Sequence, residues 1–455
     1  MKRPHPPPTD ADRQVLGMPR QRLATLLNQA VHSEAQGKYR HWDILRHLKP
    51  PTGFSSTEWW GATKLVRRAS LKDVPLLATN DESFRYAVTD VIARRLHEID
   101  LGAGGSIGLP DPIVNPQTRS QYVMRSLFQE AVTSSQLEGA ATTRAVAKEM
   151  IRSGRPPRTR GERMILNNFR TMQRIAEWKE RPLDNELIFE MHRMVTQDTL
   201  DDPTAAGRLR LPHEQVTFQD DITGEVFHKP PPAEELPKRL EALCAFANAG
   251  DVDGAIDPNG QFIHPAVRSM LLHFWLAYDH PFVDGNGRTA RALFYWSMLR
   301  RGYWLFEFVS ISEIIVKAPA KYALSFLHTE TDENDVTYFV IYQSEVIRRA
   351  INSLHDYIAK KSKELRALED TLRHAPDFNH RQQALIGHAL RHPGTRYTVA
   401  GHQRSHGIVY ETARRDLLDL TKAGLLEMRK DGKAFLFTTP PDLADRVHRA
   451  KSSVH

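Results

Sequence analysis

The sequence predicts a mainly α-helical protein, and three observations carry that expectation. From Asn115 to Asn352 apolar residues recur at helical spacing in several long runs, broken by Pro and Gly clusters at residues 154–157 and 229–232. One strong extended signal interrupts them: in residues 216–228 (VTFQDDITGEVFH) two alternating segments flank residues 221–224 and predict a β-hairpin. After His380, three short amphipathic stretches precede a second alternating pair around Lys430, Asp431, Gly432 and Lys433, so three helices and a tight-turn hairpin end the sequence.

Taken in order, residues 1–14 hold four prolines and no apolar run, which excludes a secretory signal and predicts a disordered N-terminus. Residues 15–109 read as a helical segment around Trp42, Phe54, Trp59 and Trp60. Rings of this kind are usually core, and no chemistry is assigned to them. The glycine-rich run 102–108 (GAGGSIG) predicts a joint and a domain boundary. Residues 110–352 form the helical domain, with helices expected over 233–249 and over 264–279, where Pro265 suits a first turn. A long charged helix over 336–374 supplies a linker at 353–379. The terminal module, 380–455, is expected to contain helices at 381–392, 399–405 and 409–423 and strands at 425–428 and 434–437.

Composition narrows the function classes. A chain of 455 residues suggests two to four domains, at roughly 100 to 200 residues each. The net charge is +7, and residues 380–455, with 13 Lys/Arg against 7 Asp/Glu, hold +6 of it. Basicity therefore belongs to the tail, and a protein coated in nucleic acid along its length is excluded. The single cysteine, Cys244, can form neither an internal disulfide nor a cysteine-based zinc site, which fits a reducing, cytoplasmic setting. Apolar stretches such as 274–278 fall far short of the roughly 20 residues a membrane span needs. None of the 21 histidines falls into a zinc-binding spacing, and no zinc is expected.

The chemistry concentrates in residues 280–291, HPFVDGNGRTAR, a loop leading into a helix that runs to Arg300. Backbone amides of Gly285, Asn286 and Gly287 at a helix N-terminus make an anion-binding concavity reinforced by the helix dipole, and phosphate is its natural occupant. Asp284 offers a carboxylate for Mg²⁺, which bridges one or two carboxylates and substrate phosphates. Arg288 and Arg291, three apart, share a helical face and reach phosphate oxygens as planar forks. His280 is the one near-neutral titrating group of the set, suited to act as general base for a hydroxyl nucleophile. No Gly-Lys-Ser/Thr follows, so a Walker-type site is excluded.

This stretch resembles the signature of the Fic family, HxFx(D/E)GNGRxxR, without a departure over its twelve positions. The resemblance implies a helical fold and the substrate ATP with Mg²⁺. It also implies transfer of AMP to a Ser, Thr or Tyr hydroxyl of a target protein, or of the enzyme itself. It casts His280 as the base, Asp284 as the metal ligand, and Gly285, Asn286 and Gly287 as the anion hole. Arg288 would face the β-phosphate and Arg291 the γ-phosphate. Glycine at 287 separates the chain from the kinase-like Doc branch, which carries lysine there.

A second motif, residues 134–139 (SSQLEG), resembles the family's inhibitory pattern (S/T)xxxE(G/N). Ser134 and Glu138 lie on one helical face before a glycine able to end the helix. The resemblance pairs Glu138 with Arg291, which withholds Arg291 from ATP and restrains the enzyme; removal of AMP by a Glu138-positioned water stays open. The hairpin at 216–228 resembles the family's flap, which aligns an extended target by main-chain pairing. Tyr322 is read either as a wall for the base or as core. The tail has the winged-helix pattern, with Tyr410, Thr412, Arg414 and Arg415 opening a recognition helix and Arg429, Lys430 and Lys433 on the wing. Its mild charge, shared with Glu411, Asp416 and Asp419, leaves DNA binding and a docking or homodimerising role as alternatives. The rival reading of the whole chain is a nucleotide-sensing, DNA-binding transcription regulator.

Overall fold

A computed structural model describes residues 2–35, 39–104, 116–219, 224–249, 262–373, 378–392, 394–431 and 434–452. It is mainly helical, as expected, with a few short strands. The chain forms two compact units, one of residues 1–105 and 126–351 and the other of residues 106–125 and 352–455.

The first unit is built on two antiparallel-connected helices, Pro265–Asp279 and Asn286–Arg300, which pack on each other. Nearly every residue of both is buried, including Phe274, Trp275, Leu276, Phe294, Tyr295 and Trp296. Helices buried on nearly all faces sit in the middle of a core, and the helices Arg160–Trp178, Asn185–Thr196 and Leu236–Asn248 close around this pair. Trp296 Nε1 donates to the Trp178 carbonyl at 3.1 Å, so the largest buried ring keeps its polar atom satisfied. The helix expected at 233–249 begins as a 3₁₀ turn, Ala233–Glu235, before Leu236–Asn248.

The disordered N-terminus expected for residues 1–14 is corrected by the structure. Ala11–Leu16 is a helix with Ala11 and Val15 buried against Ser56–Arg68. Close approach is the physical reason: a Cβ at Gly61 would lie 2.2 Å from the Ala11 carbonyl oxygen, so only glycine admits this neighbour. Trp59 and Trp60 are buried in the same cluster, with Trp42 against them, as core. Nor does the glycine-rich run separate two compact bodies, because residues 2–104 belong to the unit that holds 126–351. Lys64 Nζ meets Asp332 Oδ1 at 2.8 Å, and the strands Lys72–Leu77 and Ser83–Tyr86 place the Phe84 ring 5.2 Å from that of Phe274. Residues 105–115, including the end of the run, lie outside the described residues.

The expected hairpin pairs Phe218–Gln219 with Val226–His228, in the register Phe218 to His228. Its tip, 220–223, lies outside the described residues. In the second unit, His380–Arg391, Val399–His406 and Tyr410–Lys422 are helices, and Glu427–Asp431 pairs antiparallel with Ala434–Thr438. A short strand, Tyr397–Thr398, joins the far edge of Ala434–Thr438. Leu385, Ile386, Leu417, Leu420, Leu426 and Phe437 form its core. Asp416 is buried there and accepts from Arg381 Nε at 2.7 Å and Asn379 Nδ2 at 2.8 Å, so this carboxylate ties helix to helix and is not available on a surface. The long helix runs over Thr337–Arg373. Lys433 lies outside the described residues.

Candidate active site

His280 caps the Pro265–Asp279 helix in the left-handed region, φ 46° and ψ 56°, a conformation rare for a residue with a Cβ. Three bonds hold it there. Its N–H reaches the Leu276 carbonyl at 3.1 Å, Arg210 Nε donates to the His280 carbonyl at 3.0 Å, and the Arg210 N–H donates to the Pro281 carbonyl at 2.9 Å. The ring's Nδ1 lies 3.1 Å from the Ala277 carbonyl, which can only accept, so Nδ1 carries the proton and Nε2 presents a bare lone pair. Burial pushes the imidazole down to about 4, which keeps it neutral at pH 7.

The following loop is a built object. Phe282 is fully buried with His192 stacked on its ring at 3.8 Å, and His192 Nε2 donates to the Asp284 carbonyl at 2.9 Å while its Nδ1 accepts from the Gly207 N–H. Gly285 has φ 84°, and a Cβ there would meet Thr196 Cγ2 at 2.5 Å, so only glycine makes this turn. The Asn286 side chain is spent on the turn itself. Its Oδ1 accepts from the Phe282 N–H at 2.9 Å and its Nδ2 donates to the Phe282 carbonyl at 2.7 Å, which leaves its backbone, not its amide, for an anion.

Arg288 and Arg291 differ sharply. Both are buried. Arg288 Nη1 donates to the Val195 carbonyl at 2.7 Å, whereas its Nε and Nη2 make no hydrogen bond, and Nη2 stands 3.6 Å from Asp284 Oδ1. Arg291 is engaged through two of its nitrogens: Nε donates to Ser134 Oγ at 2.8 Å, and Nη2 to the Ser134 carbonyl at 3.0 Å and to Glu138 Oε1 at 2.8 Å. The helix Pro116–Leu137 delivers Glu138, and Gly139 leaves it at φ 88°. Glu138 Oε1 sits over the helix N-terminus so closely that a Cβ on Gly287 would come within 2.1 Å of it. The Glu138–Arg291 pair read from the sequence is thus present, with the Glu138 carboxylate close to Gly287 in the first turn of the helix.

Asp284 Oδ2 is met by Arg160 Nη2 at 3.0 Å, and Oδ1 accepts from the Gly285 N–H. Glu138, His280, Gly287 and Arg291 line a cavity of about 300 Å³ whose other wall is apolar and includes Tyr322 and Phe326. Tyr322 therefore faces the cavity while its hydroxyl lies 3.0 Å from His273 Nε2. Across the mouth, the flap's Phe218 sets its ring edge on His280, centroids 4.6 Å apart. Arg208 donates two parallel hydrogen bonds to the Glu214 carboxylate at 2.7 and 2.8 Å. Sequence reasoning missed Arg160, His192, Arg210 and His228. Arg210, two residues beyond Arg208, is the arginine that touches the loop.

The helical fold thus presents a neutral imidazole ahead of a helix whose first turns carry two buried arginines. Residues 182–298, which span the His192 helix through most of the arginine-bearing helix, match the Fic/DOC family, so the chain carries a Fic domain. It is 28% identical over 166 residues to the protein adenylyltransferase Fic of Nematostella vectensis, covering 36% of this chain and 33% of that protein. With the protein adenylyltransferase fic-1 of Caenorhabditis elegans it shares 34% over 116 residues, 26% of this chain and 19% of the relative. The matched stretch is a third or less of the length of these relatives. A crystal structure of a Fic family protein from Desulfovibrio desulfuricans has the same fold, with TM-score 0.51 and 19% identity over 78% of this chain and 98% of that one.

Proposed function

We propose that this protein is an adenylyltransferase that moves AMP from ATP to a hydroxyl side chain of a target protein and of itself, held back by Glu138. The observation that carries the reading is the bare Nε2 of a neutral His280 together with two unmatched, buried donors on Arg288 in the helix that follows its loop. A buried donor without an acceptor is destabilising, by about 1–3 kcal/mol, and phosphate oxygens are the acceptors that would satisfy it. The names of the matched relatives support the same chemistry.

In the reaction, the target oxygen forms a bond to the α-phosphorus, the bond from that phosphorus to pyrophosphate breaks, and His280 Nε2 takes the hydroxyl proton. The amides of residues 285–287 and Arg288 meet the charge that develops on the phosphates. Among the described residues no three acidic, histidine or cysteine side chains gather as a metal cage. Asp284 alone fits a Mg²⁺ that draws its other ligands from phosphates and water. Bound there, Mg²⁺ would supply neutralisation of phosphate charge. Arg160 occupies the same carboxylate and would have to yield it. Glu138 restrains the step twice, by engaging Arg291 and by laying a carboxylate where phosphate is to bind.

The test compares ATP labelled at the α- or the γ-phosphate. Glu138→Gly should incorporate α-label and no γ-label, at least tenfold more than the unmutated protein. Incorporation of γ-label would make it a kinase, and equal α-incorporation by both proteins would remove Glu138 from the account.

For the second unit we propose a winged-helix module. The exposed Val409 and Tyr410 at the start of the Tyr410–Lys422 helix, with Arg414 beside them, support a docking role for that helix end, toward duplex DNA, another protein or a second copy of this chain. A gel shift with random duplex at low and high salt separates these: a salt-sensitive shift assigns DNA, and none at low salt removes it.

A further inference from the structure

His228 ends the second flap strand and is buried, yet the transfer chemistry does not use it. Its Nε2 lies 2.8 Å from the Tyr278 carbonyl, two residues before His280, and its Nδ1 lies 2.8 Å from Glu330 Oε2 on the helix Pro319–Thr331. A carbonyl and a carboxylate both accept, so the arrangement is satisfied when the ring carries two protons. A neutral ring leaves one contact facing an acceptor with nothing to donate, unless Glu330 holds the proton in its place. The Tyr278 carbonyl also belongs to the last turn of the Pro265–Asp279 helix, the end that favours a cation. His228 pairs in register with Phe218, whose ring covers His280.

We infer that His228 is a positioning residue for target engagement, clamping the flap onto the helix end that leads into the catalytic loop as a doubly donating imidazolium, so that the flap loosens when the clamp loses its proton. This rests on the proposed adenylyl transfer for its consequence, though not for its geometry. The groups around the ring favour the charged form. Glu330 faces it from one helix, and Asp279, itself bound by Arg239 at 2.7 Å, lies behind it on the other. His280 is neutral and Arg210 is spent on the His280 and Pro231 carbonyls. Burial opposes the charge, but Glu330 and the Tyr278 carbonyl outweigh it and raise the pKa above its ordinary value of 6.5. A raised pKa means that the clamp is complete below it and is lost as pH rises through it.

Full-length protein carrying Glu138→Gly, alone and combined with Glu330→Gln or His228→Gln, would be followed by hydrogen exchange of the amides at 218–219 and 226–228, corrected for intrinsic rates, and by the ¹³Cε1 resonance of His228. Flap protection should fall about tenfold as His228 loses its proton, at a pH above 6.5. Glu330→Gln should bring that fall to lower pH, and His228→Gln should abolish the pH dependence. In transfer assays the KM for the target should rise over the same range, with the KM for ATP unchanged. Flap protection independent of pH, or a His228 that titrates at the same pH with and without Glu330, overturns the clamp even if every variant transfers AMP. Absence of transfer with a pH-dependent flap instead rejects the proposed function and leaves the clamp standing.

Discussion

Two clusters of buried cations sit in the same compact unit, and they are finished to different degrees. Lys64 and Arg67 both find acceptors. Lys64 meets Asp332 at 2.8 Å, Arg67 Nη1 donates to the Tyr338 hydroxyl at 2.8 Å and its Nη2 to the Arg40 carbonyl at 3.0 Å, and the guanidinium lies 3.7 Å above the Tyr39 ring. Tyr338 in turn donates to Asp332. Around Arg288 two donors are left over, and Arg291 is satisfied through a glutamate carried by a separate helix end. The first cluster stabilises by being closed. The second holds unmatched donors, and under the proposed function that is the place of an anion.

The comparison can be broken in four places. The largest effect is expected from His280→Ala in the Glu138→Gly background, where AMP transfer should fall by about 10²–10⁴-fold, the usual worth of a positioned base. ATP binding, measured by calorimetry, should persist, since the ring's described hydrogen bond goes only to the Ala277 carbonyl. Next comes Lys64→Met, which strands the buried Asp332 carboxylate and should cost about 3–5 kcal/mol of folding stability in a urea titration. A smaller, collective effect should follow acidification. Burial pushes His41 and His273 down to about 3 and His192 and His280 down to about 4. Between those values and 6.5 the unfolded chain takes protons that the folded one refuses, so stability should be full above pH 6.5 and decline as pH falls toward 4. The smallest stability change is expected from Arg288→Met, within about 1 kcal/mol of zero or favourable, because it removes two unmatched donors along with one bond to Val195. The same substitution should abolish ATP binding, whereas Lys64→Met should leave it intact under conditions where that variant is folded.

How much of this was legible beforehand follows from sequence distance. His280, Asp284, Gly285, Gly287, Arg288 and Arg291 fall within twelve residues, and helical spacing is enough to gather them on one loop and one face. Ser134 and Glu138 needed a family pattern, since nothing in a helix end announces that Arg291, 153 residues away, completes it. The supports of the loop were invisible for the same reason. His192, Arg210 and Arg160 reach it from 92, 70 and 124 residues away, and none has a local signal that separates it from an ordinary surface or core residue. Asn286 carries a second duty that its place in the motif did not show: the reading from sequence concerned its backbone N–H, and its side-chain amide holds the turn closed. The N-terminal helix escaped because its burial depends on a glycine 50 residues on, and sequence polarity near a terminus carries no trace of that.

The central claim is that the unmatched donors of Arg288, and Arg291 once Glu138 is removed, are waiting for the phosphates of ATP. A crystal structure of Glu138→Gly with ATP and Mg²⁺ tests it most directly. The account predicts phosphate oxygens within hydrogen-bond distance of Arg288 Nε and Nη2 and of Arg291 Nη2, with His280 Nε2 facing the α-phosphorus. A nucleotide bound elsewhere, with Arg288 still unmatched, would contradict it.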